Sequence, residues 1–143
     1  MRKAQIIGIP LLIVVFVLGA CAPKTPTPTT TPTPALPKSG EWTALTEFGE
    51  LSFTVNPDST GIAKISLHFP GEFKCGGIQV SGGIVSVENP NLWPITDGQF
   101  TVDTSLSLGK VVIDGKFDET GTHASGTWEI NVCSGTWESS PGS

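Results

Sequence analysis

Arginine, histidine and tyrosine are scarce in this chain: its 143 residues include one arginine, two histidines and no tyrosine. Without Arg2 and Lys3, which belong to the leader described below, six lysines face thirteen acidic residues, a formal net charge of −7. A surface this acidic and without arginine repels phosphate backbones, so the composition excludes nucleic acid as a partner. The acidic residues are expected to form a solvated face that keeps the protein soluble.

The chain also lacks a helical pattern and several common chemical motifs. No segment keeps a 3.6-residue apolar period over three turns, so helices are not expected beyond the leader. There is no C-x-x-C, no G-x-S-x-G elbow and no twelve-residue EF-hand loop. These absences argue against a thiolate metal site, a hydrolase nucleophile and a calcium loop, and we expect no metal or other cofactor.

The N-terminus has the three parts of an export signal. A basic start at residues 2–3 precedes an apolar run over 6–18, and two small residues follow at 19–20. The run contains a glycine and a proline and is shorter than the roughly 20 apolar residues of a membrane-spanning helix. We therefore predict a cleaved signal peptide over residues 1–20.

The residues at the cleavage point, Leu18-Gly19-Ala20-Cys21, resemble the lipobox of bacterial lipoproteins. In that family the cysteine thiol takes a diacylglyceryl group, and cleavage leaves the cysteine as the first residue. The resemblance implies that lipid on Cys21 holds the chain to a bilayer outside the cytoplasm, at the cell membrane or at an outer membrane where the host has one. Two or more acyl chains, at about 0.8 kcal/mol per buried methylene, make such an anchor stable. An ordinary secretory signal before a chance cysteine is the alternative.

Proline and threonine dominate the segment after Cys21. Alternating prolines fix φ and remove hydrogen-bond donors, which predicts an extended spacer of about 3.1 Å per residue. We assign residues 21–39 to the lipidated N-terminus and this spacer. Residues 40–143 have the length of one ordinary domain.

Apolar and polar residues alternate with a period of two through this domain, as in half-buried strands. Leu51, Phe53 and Val55 share one face, and turn residues at 56–59 join them to a second strand. In that second strand, one face is predicted to hold Ala63, Ile65, Leu67 and Phe69, and the other Ile62, Lys64, Ser66 and His68. Further runs follow at 77–80, 83–88, 99–103, 110–117, 125–132 and 135–138.

Seven or eight short strands separated by turns predict an all-β fold. The expected architecture is an antiparallel β-sandwich or jelly roll, with an open barrel as the other option.

Two short segments repeat within the domain. The pentapeptide SGTWE occurs at 125–129 and again at 134–138, and ITDGQF at 95–100 is similar to VIDGKF at 112–117. The first repeat predicts a hairpin in which Trp128 and Trp137 lie in the core, stacked or diagonal to each other. The spacing of the second pair is too short and too isolated for a solenoid. Both repeats are interpreted as structural and not as duplicated sites.

The order PITDGQF, VIDGKF, ASGTWEI and CSGTW, with KCGG upstream, resembles uncharacterised β-rich domains of exported bacterial proteins. In those domains an I-x-x-G-x-F element precedes A-S-G-T and a late C-x-G strand with tryptophan. The resemblance covers residues 51–138. It implies an all-β fold and brings no established activity with it.

The two cysteines that remain, Cys75 and Cys133, are predicted to form a disulfide. If Cys21 is acylated, these two lie in an oxidising compartment, and a pair is the number that a disulfide requires. A metal or catalytic thiol is the alternative, but no histidine lies near either cysteine in the sequence.

Catalytic residues are not predicted. His68 lies on the polar side of a strand and His123 in a turn, and both are expected to be solvated. A glycoside-type hydrolase would have to draw its paired carboxylates from Asp97, Asp103, Asp114, Asp118 and Glu119. Four of these acids, Asp97, Asp114, Asp118 and Glu119, are expected in turns, where an aspartate before glycine is first of all a turn signal.

The candidate ligand contacts are Trp93 and Asn91, in a predicted loop at 89–94 that lies outside any alternating run. A loop aromatic beside amides is typical of a sugar platform, because the ring stacks on C–H faces while amides meet hydroxyls. The alternative is that Trp93 folds back and plugs one end of the sandwich.

The sequence thus predicts a membrane-anchored exported lipoprotein that displays a small, non-enzymatic β domain for binding or for envelope structure. A carbohydrate-binding module centred on Trp93 is the second hypothesis, and a hydrolase that uses the acidic turns is the third. The expected partners are a lipid bilayer through Cys21 and a glycan or an envelope protein.

Overall fold

The structure is a computed structural model, and it describes residues 35–142. These residues form ten β-strands and no helix: β1 Gly40–Thr46, β2 Gly49–Val55, β3 Gly61–Phe69, β4 Phe73–Cys75, β5 Ile78–Val80, β6 Gly83–Pro94, β7 Gln99–Leu106, β8 Gly109–Phe117, β9 Ala124–Ile130 and β10 Cys133–Pro141. The all-β prediction is confirmed. In this part of the chain no helix is long and apolar enough to span a membrane.

Eight strands form one antiparallel sheet in the order β6-β3-β2-β1-β10-β9-β8-β7, and β4 and β5 form a separate hairpin. Most neighbours in the sheet are also neighbours in the chain, so short turns join them. This order is a meander without the crossovers of a jelly roll. The first and last strands pair at its centre, with Trp42 opposite Pro141 and Leu45 opposite Glu138.

The core lies between the inner faces of the two halves of the sheet. Trp42 on β1 packs edge-on against Phe117 on β8, with ring centroids 5.1 Å apart. Phe53 on β2 meets Phe100 on β7 at 5.3 Å. Strands from opposite ends of the sheet thus face each other, as in a sandwich, and the predicted inward face of β2 is confirmed because Leu51, Phe53 and Val55 are buried.

The SGTWE repeat forms the β9–β10 hairpin. Trp128 lies opposite Gly135, and Trp137 lies opposite Gly126, so each tryptophan faces the glycine of the other copy. Both rings are buried, which confirms the core prediction, and they are diagonal to each other. A methyl group on Gly126 would come within 2.8 Å of the Trp137 ring. Because glycine has no side chain, each indole ring can occupy the space beside the glycine opposite it.

The predicted alternation in β3 is wrong at its start. Val55 pairs with Ile62 and Thr54 pairs with Lys64, so Ala63 is an extra residue, a β-bulge. The bulge reverses the faces: Ile62 is fully buried, whereas Ala63 is only half-buried.

Three further expectations differ from the structure. The segment 89–94, predicted as a loop, belongs to β6, although residues 89–92 bulge away from β3 because Ile62 pairs with Trp93 and Lys64 with Glu88. Asp114, expected in a turn, lies within β8. Strands β1 and β4 were not predicted.

One end of the sandwich is covered by the β4–β5 hairpin, which we call the lid (73–80). Phe73 in the lid stacks on Phe48 with centroids 4.5 Å apart, and Phe48 meets Trp128 at 6.0 Å. A disulfide joins Cys75 in the lid to Cys133 at the start of β10, with Cα atoms 5.5 Å apart. The predicted disulfide is confirmed, and it ties the lid across the end of the core.

Candidate functional site

The opposite end of the sandwich carries a tight loop, residues 118–123, between β8 and β9. Asp118 organises it: the Thr120 hydroxyl donates to one carboxylate oxygen at 2.6 Å, and the backbone N–H groups of Thr122 and His123 donate to the other at 2.9 and 3.1 Å. The His123 imidazole Nδ1 lies 3.6 Å from the carboxylate. The side chain of its first residue therefore stabilises the conformation of this loop, which we call the Asp118 loop.

These contacts lower the pKa of Asp118 from its ordinary value of 3.8 to about 2. The largest cause is the hydrogen bond from Thr120. Backbone hydrogen bonds from His123 and Thr122 and the charge of His123 act in the same direction, and desolvation opposes them. The carboxylate is consequently charged at any ordinary pH.

The last residues of the predicted spacer are bonded to the same end of the domain. The Ala35 N–H donates to the Glu119 carbonyl at 3.3 Å, and the Lys38 N–H donates to the Gly121 carbonyl at 3.2 Å. Pro37 is buried, and its carbonyl accepts the Ser59 hydroxyl at 2.7 Å. We call residues 35–38 the strap, because they run between two loops of the folded domain.

A groove of about 700 Å³ lies beside the Asp118 loop, on the outer face of β1, β10, β9 and β8; we call it the outer groove. Its lining comprises Thr43, Leu45, Lys116, Phe117, Asp118, His123, Ala124, Ser125, Glu138, Ser139 and Ser140. The strands place a row of side chains across it, since Leu45 is opposite Glu138, Glu138 opposite Ser125, and Ser125 opposite Lys116. Cross-strand neighbours of this kind lie about 5 Å apart.

The row combines an aliphatic surface with hydrogen-bonding groups of both kinds. Leu45 is 77% exposed and supplies the aliphatic surface. Glu138 supplies an acceptor, Lys116 a donor, and Ser125 both. The groove is therefore suited to a polar ligand with an apolar face.

The predicted ligand contacts lie elsewhere. Trp93 is half-buried, packs against the core and pairs with Ile62 on β3. Asn91 is exposed in the bulge, where its N–H donates to the Asn89 side chain at 3.1 Å. Neither residue lines the outer groove. The structure packs Trp93 against the core and does not bring it together with the groove residues. Its role as a ligand contact stays a prediction.

The acidic residues considered for hydrolysis are dispersed. Asp97, Asp103, Asp114 and Glu119 are exposed and lie on different strands and turns. Asp103 pairs with Lys110 at 3.2 Å, and Asp114 accepts the Thr101 hydroxyl at 2.6 Å. Among residues 35–142, no three histidine, cysteine, aspartate or glutamate side chains converge as metal ligands.

The two histidines are exposed, as expected. His68 lies on the outer face of β3, and the His123 side chain is 72% exposed at the outer groove. Sequence reasoning missed the groove because its residues come from four strands and share no motif. The one available signal was Leu45, an aliphatic residue on the polar side of the unpredicted strand β1.

Cys21 and most of the spacer lie outside the described residues, so the lipid attachment stays a prediction. No family model, curated protein or solved structure matches the chain. The resemblance to exported β-rich domains likewise stays a prediction.

Proposed function

We propose that the protein is an exported, lipid-anchored binding module whose β domain takes a hydroxyl-rich ligand, such as an envelope glycan, in the outer groove. The observation that carries the binding role is the row Leu45, Glu138, Ser125 and Lys116 across four strands. A sugar offers hydroxyls to such donors and acceptors, and C–H faces to an exposed aliphatic side chain.

Several features support a binding role over an enzymatic one. Four of the five carboxylates considered for a glycoside hydrolase are exposed and dispersed, whereas such an enzyme holds two of them about 5–10 Å apart around the bond that breaks. The His123 imidazole is exposed, and the Asp118 carboxylate accepts three hydrogen bonds from its own loop. The domain is therefore proposed to be non-enzymatic.

The lipid anchor rests on the leader and on Cys21. Mass spectrometry of the protein purified from host membranes should return a chain that begins at Cys21 and carries acyl groups. Cys21→Ser should move the protein from the membrane fraction to the soluble or uncleaved form. An intact leader, or a free thiol at Cys21 in the mature protein, would refute the anchor.

The groove is tested on a glycan array with the full chain. Leu45→Ala should lower retention about tenfold, because it removes the exposed aliphatic side chain that the ligand would cover while the fold loses little. Ile84→Ala is the matched control, since Ile84 is 70% exposed on the same outer face but outside the outer groove. Retention lost only in Trp93→Ala would instead place the ligand at Trp93, and no retention of the wild-type chain on any glycan would refute the proposed ligand class.

A further inference from the structure

The strap and the outer groove share one structural element, the Asp118 loop. Asp118 and His123 line the groove, while the carbonyls of Glu119 and Gly121, in the middle of the same loop, accept the N–H groups of the strap. The loop is thus bonded to the strap on one side and borders the groove on the other.

The strap also contacts the domain outside the Asp118 loop. Its Pro37 is buried and accepts a hydrogen bond from Ser59, on the turn between β2 and β3, and the Trp42 indole N–H donates to the Lys38 carbonyl at 2.9 Å. Gly121 has a φ of 67°, and a methyl group there would lie 2.4 Å from the Leu36 carbonyl oxygen. The strap therefore packs directly on the loop backbone.

We propose that the strap is a latch that couples the preceding spacer to the outer groove. When the strap is bonded to the Asp118 loop, it fixes that loop as one border of the groove. When the strap detaches, the border can move. The claim that the latch controls ligand binding rests on the function proposed above. The coupling between the strap and the Asp118 loop does not depend on a ligand. Because coupling between two sites is reciprocal, a ligand that binds the ordered groove also holds the strap in place.

A latch and a passive linker predict different behaviour of the folded domain. A passive linker transmits only position, and its last residues exchange freely with solvent. A latch gives the folded domain two states, and the groove is complete in only one of them. Pulling on the chain before Ala35 would then displace the strap and, through the Asp118 loop, change the border of the groove.

The test uses Ser59→Gly in the full chain purified from membranes. Ser59 donates to the strap but does not belong to the Asp118 loop, and its φ of 59° suits glycine, so the backbone of the β2–β3 turn is relieved while the strap loses a bond. Loss of one hydrogen bond predicts about fivefold faster amide exchange at Ala35 and Lys38. If the latch exists, the amides of Thr122 and His123 accelerate with them.

Ser107→Gly, in the turn between β7 and β8, is the matched control and should leave all four amides unchanged. Gly121→Ala is the second variant, because its methyl group pushes the Leu36 carbonyl away from the loop. It is read only at Ala35 and Lys38, whose exchange should accelerate, since Gly121 itself belongs to the Asp118 loop. Faster exchange at Ala35 and Lys38 with unchanged Thr122 and His123 would overturn the latch, and so would unchanged exchange at the strap. Coupled exchange without glycan retention would retain the latch and refute only the proposed ligand.

Discussion

Removing the disulfide should cost this domain a large part of its stability. The perturbation is the double substitution Cys75→Ala with Cys133→Ala, which avoids leaving a single reactive thiol. The two cysteines are 58 positions apart, so the bond closes a loop of about 59 residues. In the chain-entropy model a loop of this length contributes about 4 kcal/mol at 25 °C, set against a total of about 5–15 kcal/mol for a typical domain.

Urea unfolding measures this loss directly. The double variant should unfold with a free energy about 4 kcal/mol lower than that of the wild type, and its melting temperature should fall by about 20 °C. Reduction of the wild type should reproduce the loss, while reduction of the double variant should change nothing. A loss below about 1 kcal/mol would show that the lid is held by Phe73 and its aromatic neighbours, and the loop-closure reasoning would be wrong.

Three further predictions concern packing, the candidate ligand contact and pH. Gly126→Ala should cost about 3 kcal/mol in urea unfolding and Gly135→Ala clearly less, because a methyl group at the first would meet a backbone carbonyl and at the second only an indole edge. Trp93→Ala should cost about 2 kcal/mol, roughly half the loss for a fully buried tryptophan, and a stability equal to wild type would show that its ring does not support the core. The folded-state pKa of Asp118 lies below its ordinary value, so its stabilising effect is present above about pH 4 and is lost as the pH falls toward 2. Thr120→Val should raise that pKa toward 3.8 in an NMR titration of the carboxyl carbon, and an unchanged value would exclude the hydroxyl as its main cause.

The strands could be predicted because the alternation of apolar and polar side chains is visible within a few consecutive residues. Leu51, Phe53 and Val55 alternate without interruption, and the structure buries all three. The bulge at Ala63 could not be predicted in the same way, since an extra residue leaves the composition unchanged and merely reverses which face points inward. Local alternation therefore located β3 but misassigned Ile62.

Strand β1 shows a different limit. Trp42 and Ala44 are both buried and alternate with polar residues, so the pattern was present, but it is short and directly follows the proline-rich spacer. One of its partners, β2, follows directly in the chain, but the other, β10, comes from the far end of the domain sequence. The pairing with β10 is tertiary, and short-range patterns do not report it.

The candidate site depended still more on distant pairing. The disulfide could be predicted from cysteine number, because assigning Cys21 to the predicted lipid attachment leaves one pair. The outer groove needs the register of four strands, which places Leu45 beside Glu138 although 93 positions separate them in the chain. The prediction of Trp93 as a ligand contact assumed that residues 89–94 form a loop. In the structure Trp93 pairs with Ile62, and these residues belong to a bulged strand.

Pairing of the first strand with the last has a consequence for biogenesis. Strands β2, β3 and β6 form one half of the sheet and β7, β8 and β9 the other, and only β1 with β10 joins them. If the chain is threaded through an export channel from its N-terminus, neither half can bury its aromatic face until the final nine-residue strand has emerged. In that case, folding would be deferred until translocation is complete. A nonsense mutation that removes β10 should leave an aggregation-prone remnant rather than a smaller working domain.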